Sequence, residues 1–320
     1  MTRCARNVIG LGLMLLLLGV TQAQETVTTP IRFGNLGPST SDLYQYLGQA
    51  QGIYRRYGVD LEFVEFLQGG PEAVAAAASG QLDMGTAGTP VLIAISRGIL
   101  LRLVGASPRK GQAFVLVGRP DTQDLAELKG KVVGISAVGG GSAQALRVIL
   151  EANGVAGDTV KTIAFGAGPN GYLSLKSGRL AAAVLTEPSV TKAERDGIGK
   201  VLAEAAPYFP HYQAGGVFAT RSFIAAHSQA IRAFFKANRE AIAYARAHRE
   251  ELVALGHQRL GLDEALLTGV FDKEVPKWDD SGSIDNEGLL NAIAVVQSVG
   301  DISKDYRPAI EDITDPSFLN

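Results

Sequence analysis

Gly139-Gly140-Gly141-Ser142 is the segment of this chain best suited to holding a ligand. An apolar run ends near Ala137 and a helical pattern begins near Ser142, so the glycines fall where free backbone N–H groups and the positive end of a helix dipole attract an anion. Gly140 and Gly141, lacking a Cβ, also let a ligand come close. Ser142 has two compatible readings, a hydroxyl that touches the ligand or one that caps the helix. Pro38-Ser39-Thr40-Ser41 offers hydroxyls at a second junction of this kind, with Ser39 and Thr40 either as contacts or as an ordinary cap cluster. Thr86-Ala87-Gly88-Thr89 brings Thr86 and Thr89 to a strand end before Pro90, against the plainer reading of a strand-to-helix turn. Thr186-Glu187-Pro188 presents a carboxylate, and Glu187 either meets a ligand N–H or O–H or supports the first turn of the next helix. Gly70 and Asn170, on two further loops, complete the candidate contacts. An anion beside Glu187 calls for compensation from Arg109 or Lys110, a pair that otherwise reads as a solvated loop.

Other chemistries lack their residues. Gly166-Ala167-Gly168-Pro169-Asn170-Gly171 has the spacing of a dinucleotide fingerprint. The helix behind it, however, is stopped by Ser177-Gly178 only seven residues after the last glycine. His211, His227, His248 and His257 are scattered without metal-ligand spacing. No nucleophile-elbow or phosphate-loop sequence is present. Neither a metal nor a cofactor is expected.

The elements that must position these loops are announced by a repeat at an offset near 98 residues. GPEAVAAAASGQLDMGTAGTP (70–90) aligns without a gap on GPNGYLSLKSGRLAAAVLTEP (168–188), pairing Gly70, Pro71, Ser79, Gly80, Leu82 and Pro90 with Gly168, Pro169, Ser177, Gly178, Leu180 and Pro188. The flanks agree, Gly58-Val59 matching Gly154-Val155 and Gly98-Ile99 matching Gly197-Ile198. Each half predicts a strand (31–36; 132–137), a helix stopped by glycine (42–57; 142–153), a second strand (61–66; 159–165), a Gly-Pro loop opening a short helix, and a third strand (83–86; 181–185). A proline-started helix follows in each. Glycine just past a helix end and proline in a first turn suit those places.

Strands alternating with helices imply parallel sheets, whose ligands collect outside the carboxyl ends of the strands. The loops there are 37–41, 67–71, 86–90, 138–142, 166–171 and 185–188, three from each half, facing one cleft. Phe114–Gly118 reads as a strand leaving the first lobe and Gly215–Thr220 as the chain returning to it. The tail from Ser222 repeats apolar residues at three and four, from Ile231 and Phe234 to Ala245, and would finish lobe one. The expectation is an α/β protein of two lobes joined by a two-segment hinge, lobe one from 30–117 and 215–320 and lobe two from 118–214.

At the amino end Arg3 and Arg6 precede an apolar run from Val8 to Val20 that closes on Thr21-Gln22-Ala23, the pattern of a secretory leader cleaved after Ala23. Thirteen apolar residues fall short of the ~20 that span a bilayer. Cys4, the sole cysteine, precedes the apolar run, so it is no lipid-anchor cysteine, and the mature chain has no thiol for disulfides, zinc or nucleophilic attack. Without Arg3 and Arg6 there remain 28 basic against 32 acidic residues, a net of −4 with no basic block. Nucleic acid and membrane insertion are not expected.

Gly52-Ile53-Tyr54 through Gly58-Val59-Asp60-Leu61, then Ser79-Gly80-Gln81-Leu82-Asp83, Asp124-Leu125 through Leu128-Lys129-Gly130-Lys131, and Glu187-Pro188 stand in this order. In them the chain, over about 31–300, resembles the periplasmic binding proteins for nitrate, aliphatic sulfonates, taurine and the thiamine pyrimidine. The resemblance implies the type II periplasmic binding protein fold and a monomeric, periplasmic, non-enzymatic carrier. Its ligand would be a small organic solute, sulfonate- or carboxylate-like, handed to an ABC permease and ATPase. Glu187 would lie near that ligand. Two rivals share the fold: an enzyme like thiamine-pyrimidine synthase, which uses a cysteine-rich loop that the mature chain lacks, and a sensor partner that presents ligand to a receptor.

Overall fold

The repeat folds twice into one plan. In a computed structural model that describes residues 28–37, 39–109, 111–166 and 168–319, the first copy runs β1 (Thr29–Asn35), α1 (Leu43–Ala50), α2 (Ile53–Arg56), β2 (Val59–Glu65), α3 (Gly70–Ala78), β3 (Met84–Ala87), α4 (Thr89–Ser96) and β4 (Leu101–Gly105). After β5 (Val115–Gly118), the second copy runs β6 (Val132–Ile135), α5 (Gly141–Ala152), β7 (Lys161–Ala164), α6 (Asn170–Lys176), β8 (Ala182–Leu185), α7 (Ser189–Arg195) and β9 (Lys200–Glu204). The chain then returns through β10 (Gly216–Thr220) to α8 (Arg221–Ala247), α9 (Arg249–Leu260), α10 (Glu264–Glu274), α11 (Asn286–Ser298) and α12 (Ile310–Ile313). The expected leader, with Cys4, and Lys110 lie outside the described residues.

The sheets share a topology. The first has the order β2-β1-β3-β10-β4 and the second β7-β6-β8-β5-β9. In each, the strands of the repeat are parallel (β1 with β2 and β3; β6 with β7 and β8), and one antiparallel strand is inserted before the edge. That inserted strand is β10 in lobe one and β5 in lobe two. Phe114–Gly118 therefore does not leave lobe one as a strand of it: β5 pairs with β8 and β9 and opens lobe two. An isolated apolar run carries no mark of which sheet it will join. The crossings are the irregular segments 106–114 and 205–215.

Gly58 and Gly154, the matched helix stops, both adopt left-handed φ, 78° and 72°, which a Cβ would strain. The predicted helix 42–57 is in fact two, because Gly52 turns left-handed at φ 65° and breaks it. Each sheet is covered on both faces. Ile31, Phe33, Phe234 and Ile242 form one core layer of lobe one, and Ala73, Leu92, Phe218 and Ile293 the other. Leu146, Ile149 and Val184 lie on one side of the second sheet, and Tyr172, Ala183 and Val190 on the other. In the tail, Ile231, Phe234, Phe235, Asn238, Ile242 and Ala245 are all buried, one stripe of α8 laid on lobe one. Thr220 caps that helix by accepting from the Phe223 N–H.

Candidate functional site

A cleft of about 1100 Å³ lies between the lobes. All six loops at the strand ends reach it, among them Ser39 and Ser41 after β1, Gly70 after β2, Thr86 at the end of β3, Gly140 and Gly141 after β6, Gly168 after β7, and Glu187 after β8. Parallel strands of two sheets thus aim their carboxyl ends at one space. The crossings add Arg109 and Phe114 from the first and Phe209, His211 and Tyr212 from the second, and the tail adds Arg259, Trp278 and Asp285.

Of the expected contacts, Ser39, Gly70, Thr86, Gly140, Gly141 and Glu187 line the cleft, whereas Thr40, Thr89, Ser142 and Asn170 do not. Thr40 and Thr89 are buried, and Asn170 is exposed at the start of α6. Ser142 is fully buried. Its hydroxyl accepts from the Ser136 N–H at 2.9 Å and is bonded to the Ser136 hydroxyl at 2.7 Å, so it ties the end of β6 to the first turn of α5. Ser136, not Ser142, stands on the cleft wall. Ser142→Ala is expected to lower stability by about 1–3 kcal/mol, since the Ser136 N–H loses its acceptor, while affinity shifts only a few-fold. Urea unfolding and titration calorimetry on the one variant measure both.

Glu187 fills the helix-supporting one of its two readings. It faces the cleft, yet its carboxylate accepts from the Thr191 N–H at 3.1 Å and the Thr191 hydroxyl at 2.8 Å, holding the first turn of α7. Arg109 is not a solvated loop residue. Its guanidinium lies on the cleft wall and holds Glu274 of α10 at 2.8 Å in a largely buried pair. Sequence reasoning also passed over the aromatic wall of Phe114, Phe165, Tyr172, Phe209 and Tyr212, and over Asp42, and it read Trp278, with Tyr306, as packing in the tail. Trp278 is buried against Tyr44, with ring centroids 5.5 Å apart, and is one of the residues that line the cleft. Asp42 directly follows the hydroxyl cluster and was passed over as a helix start, although its carboxylate makes no cap hydrogen bond.

The lobes meet on both rims. Arg195 of α7 grips Asp263, the N-cap of α10, with two bonds of 2.8 and 2.7 Å, and Lys273 donates to the Thr191 hydroxyl at 3.1 Å. On the other rim Gly166 lies so near the Leu67 carbonyl that a Cβ would come within 3.0 Å of it. Among the described residues no cluster of ligating side chains could hold a metal ion, and no helix is long and apolar enough to cross a membrane.

The family described as NMT1/THI5 like matches residues 41–252. No curated protein matches the chain in sequence. Among solved structures, a Bordetella bronchiseptica protein superposes with a TM-score of 0.80 at 20% identity, covering 92% of this chain and 97% of its own. The periplasmic aliphatic sulphonate-binding protein of Escherichia coli gives 0.72 at 21%, covering 91% and 98%. The periplasmic nitrate-binding protein of Synechocystis gives 0.75 at 14%, covering 91% and 87%. The two-lobed plan is that of the type II periplasmic binding proteins.

Proposed function

The chain belongs to the NMT1/THI5-like family, and from that premise we propose that it is the periplasmic, monomeric solute-binding component of an ABC importer. It captures a small organic solute between its lobes and delivers it unchanged to a permease and ATPase. The observation that carries this reading is the cleft itself, which draws lining residues from the strand-end loops of both sheets and is spanned by two crossings. Closure of lobes about such crossings is a familiar way to trap ligand. Gly140 and Gly141 open the twelve-residue α5 onto the cleft. N–H groups of that first turn suit an acceptor end of the ligand, carboxylate- or sulfonate-like. Ser39 and Thr86 face them from lobe one.

A thermal-shift screen of the purified chain supplies the test, since a ligand at 100 Kd stabilises by about 2.7 kcal/mol. The hit is then added to the reconstituted permease and ATPase. ATP hydrolysis is expected to rise only with the loaded chain, and mass spectrometry is expected to recover the hit intact. Stabilisation without stimulation would transfer the delivery role to a sensor, and loss of the hit by turnover would make the chain an enzyme.

A further inference from the structure

Charge on the cleft wall is unevenly committed. Among the described residues, each guanidinium and ammonium there already holds a carboxylate: Arg109 holds Glu274 at 2.8 Å, Lys192 holds Asp196 at 2.8 Å, and Arg259 holds Glu65 at 2.5 Å. The wall's carboxylates are engaged too, Glu187 by Thr191, Asp285 by the Gly288 N–H at 2.9 Å and Asp279 by the Ser281 N–H at 3.0 Å. Asp42 is the exception, for no described residue donates to its carboxylate. The same cleft is lined by Phe114, Phe165, Phe209 and Trp278, and Tyr212 adds a buried hydroxyl with no partner.

We propose that Asp42 receives a protonated amine or other N–H donor on the ligand, and that the ligand carries this group on a bulky, ring-bearing body. The proposal deepens the solute-binding reading and rests on it. About 1100 Å³ lies at or above the upper end of ordinary small-molecule pockets, far more than a bare inorganic anion fills. Rings stacked on the aromatic wall would occupy that volume. The lobe-two turn at Gly140 and Gly141 can then hold an acceptor end while lobe one holds the nitrogen, so that closure brings opposite ends of the ligand under opposite walls.

The carboxyl's own state agrees with this geometry. Burial, with Glu65 behind it, pushes Asp42 up to about 7. A bound cation favours the ionised form, so the complex carries fewer protons at Asp42 than the free protein. Affinity for a cation therefore rises with pH up to about 7 and falls on acidification below it. An acidic ligand taking a hydrogen bond from protonated Asp42 would show the opposite slope. The groups coupled to this carboxyl are Glu65 and the buried Tyr44, and Glu65 is bonded to Arg259 and to the Tyr46 hydroxyl at 2.9 Å. His211, on the second crossing, also lines the cleft, so Asp42→Asn is run through the same pH series to separate the two.

The probes are 2-phenylethylamine, 3-phenylpropionate and 3-phenylpropan-1-ol, which share a ring and differ in charge. Calorimetry at millimolar probe is expected to rank the amine first, with its affinity falling below pH 7. In Asp42→Asn the amine should bind roughly ten- to hundredfold more weakly, the loss of a hydrogen bond to a charged group, and the pH slope should vanish. The variant should unfold no earlier than the wild type, and if it does, Asp42→Ser replaces it, while the wild-type pH slope stands without either. Preference for the propionate, or an amine affinity unchanged in the variant, overturns the assignment. So does failure of all three probes while some other solute from the thermal-shift screen binds. If no solute in that screen binds, the solute-binding reading itself falls.

Discussion

Phe234→Ala is expected to lower the unfolding free energy by about 3–5 kcal/mol, the range for removing a buried aromatic ring. Phe234 is fully buried on α8, where its ring stacks on Phe33 of β1 at 5.2 Å and on Tyr54 of α2 at 6.1 Å, and meets Phe235 edge-on at 5.2 Å. Those contacts join the returning tail to the first strand and first helices of lobe one, across some 180 residues of chain. Beside them the Tyr54 hydroxyl donates to Asn238 at 3.0 Å, so a cavity at Phe234 also loosens a buried polar contact. A domain stable by about 5–15 kcal/mol loses a large share of its margin. Guanidinium unfolding should show an earlier midpoint for lobe one. The second lobe's core, around Leu146, Ile149 and Val184, is not touched, so the variant's transition should broaden or split. A midpoint within experimental error of wild type would mean that α8 is not part of the cooperative core.

How much of this was legible beforehand follows from the kind of information each feature needs. Backbone punctuation is local, and Gly58, Gly154 and the Gly-Pro loops announced both copies of the repeat and all six cleft loops. Pairing partners are not local. Val115–Gly118 is apolar whichever sheet it joins, so its place beside β8 could not be read from its own residues. Side-chain direction is not local either. Ser142 has the residue type and position of a ligand contact, but in the first turn of α5 it bonds back to Ser136 and is buried. Asp42 shows the reverse failure. An acidic residue at a helix start reads as a cap, and only the assembled cleft shows that it caps nothing. Arg109 looked solvated because its partner, Glu274, lies 165 residues away on a helix of the tail.

That distant pair gives the second large effect. Glu274→Ala is expected to cost about 3–5 kcal/mol, the range for removing one member of a buried ion pair. The Glu274 side chain is only 9% exposed and that of Arg109 15%, with Lys277 also on Glu274 at 3.0 Å. Together they fasten the start of the first crossing to the end of α10, and an Arg109–Trp278 backbone bridge continues the seam. Burial alone would raise the Glu274 carboxyl, but Arg109 and Lys277 hold it below the usual glutamate range. A depressed carboxyl stabilises the folded state fully above its unfolded value, about 4.3, and that contribution is lost as pH falls through the folded value. The stability gap between wild type and variant should therefore be flat near neutral pH and shrink in acid below about 4.3, which urea midpoints across pH would show. The cleft should change as well. With Glu274 gone, Arg109 keeps its place on the wall but loses its carboxylate from α10, adding positive potential where the wild type is compensated. Binding of 3-phenylpropionate should strengthen and that of 2-phenylethylamine weaken, opposite to the direction set by Asp42. A variant that loses stability yet leaves both probes unchanged would show that Arg109 fastens the crossing without reaching the ligand.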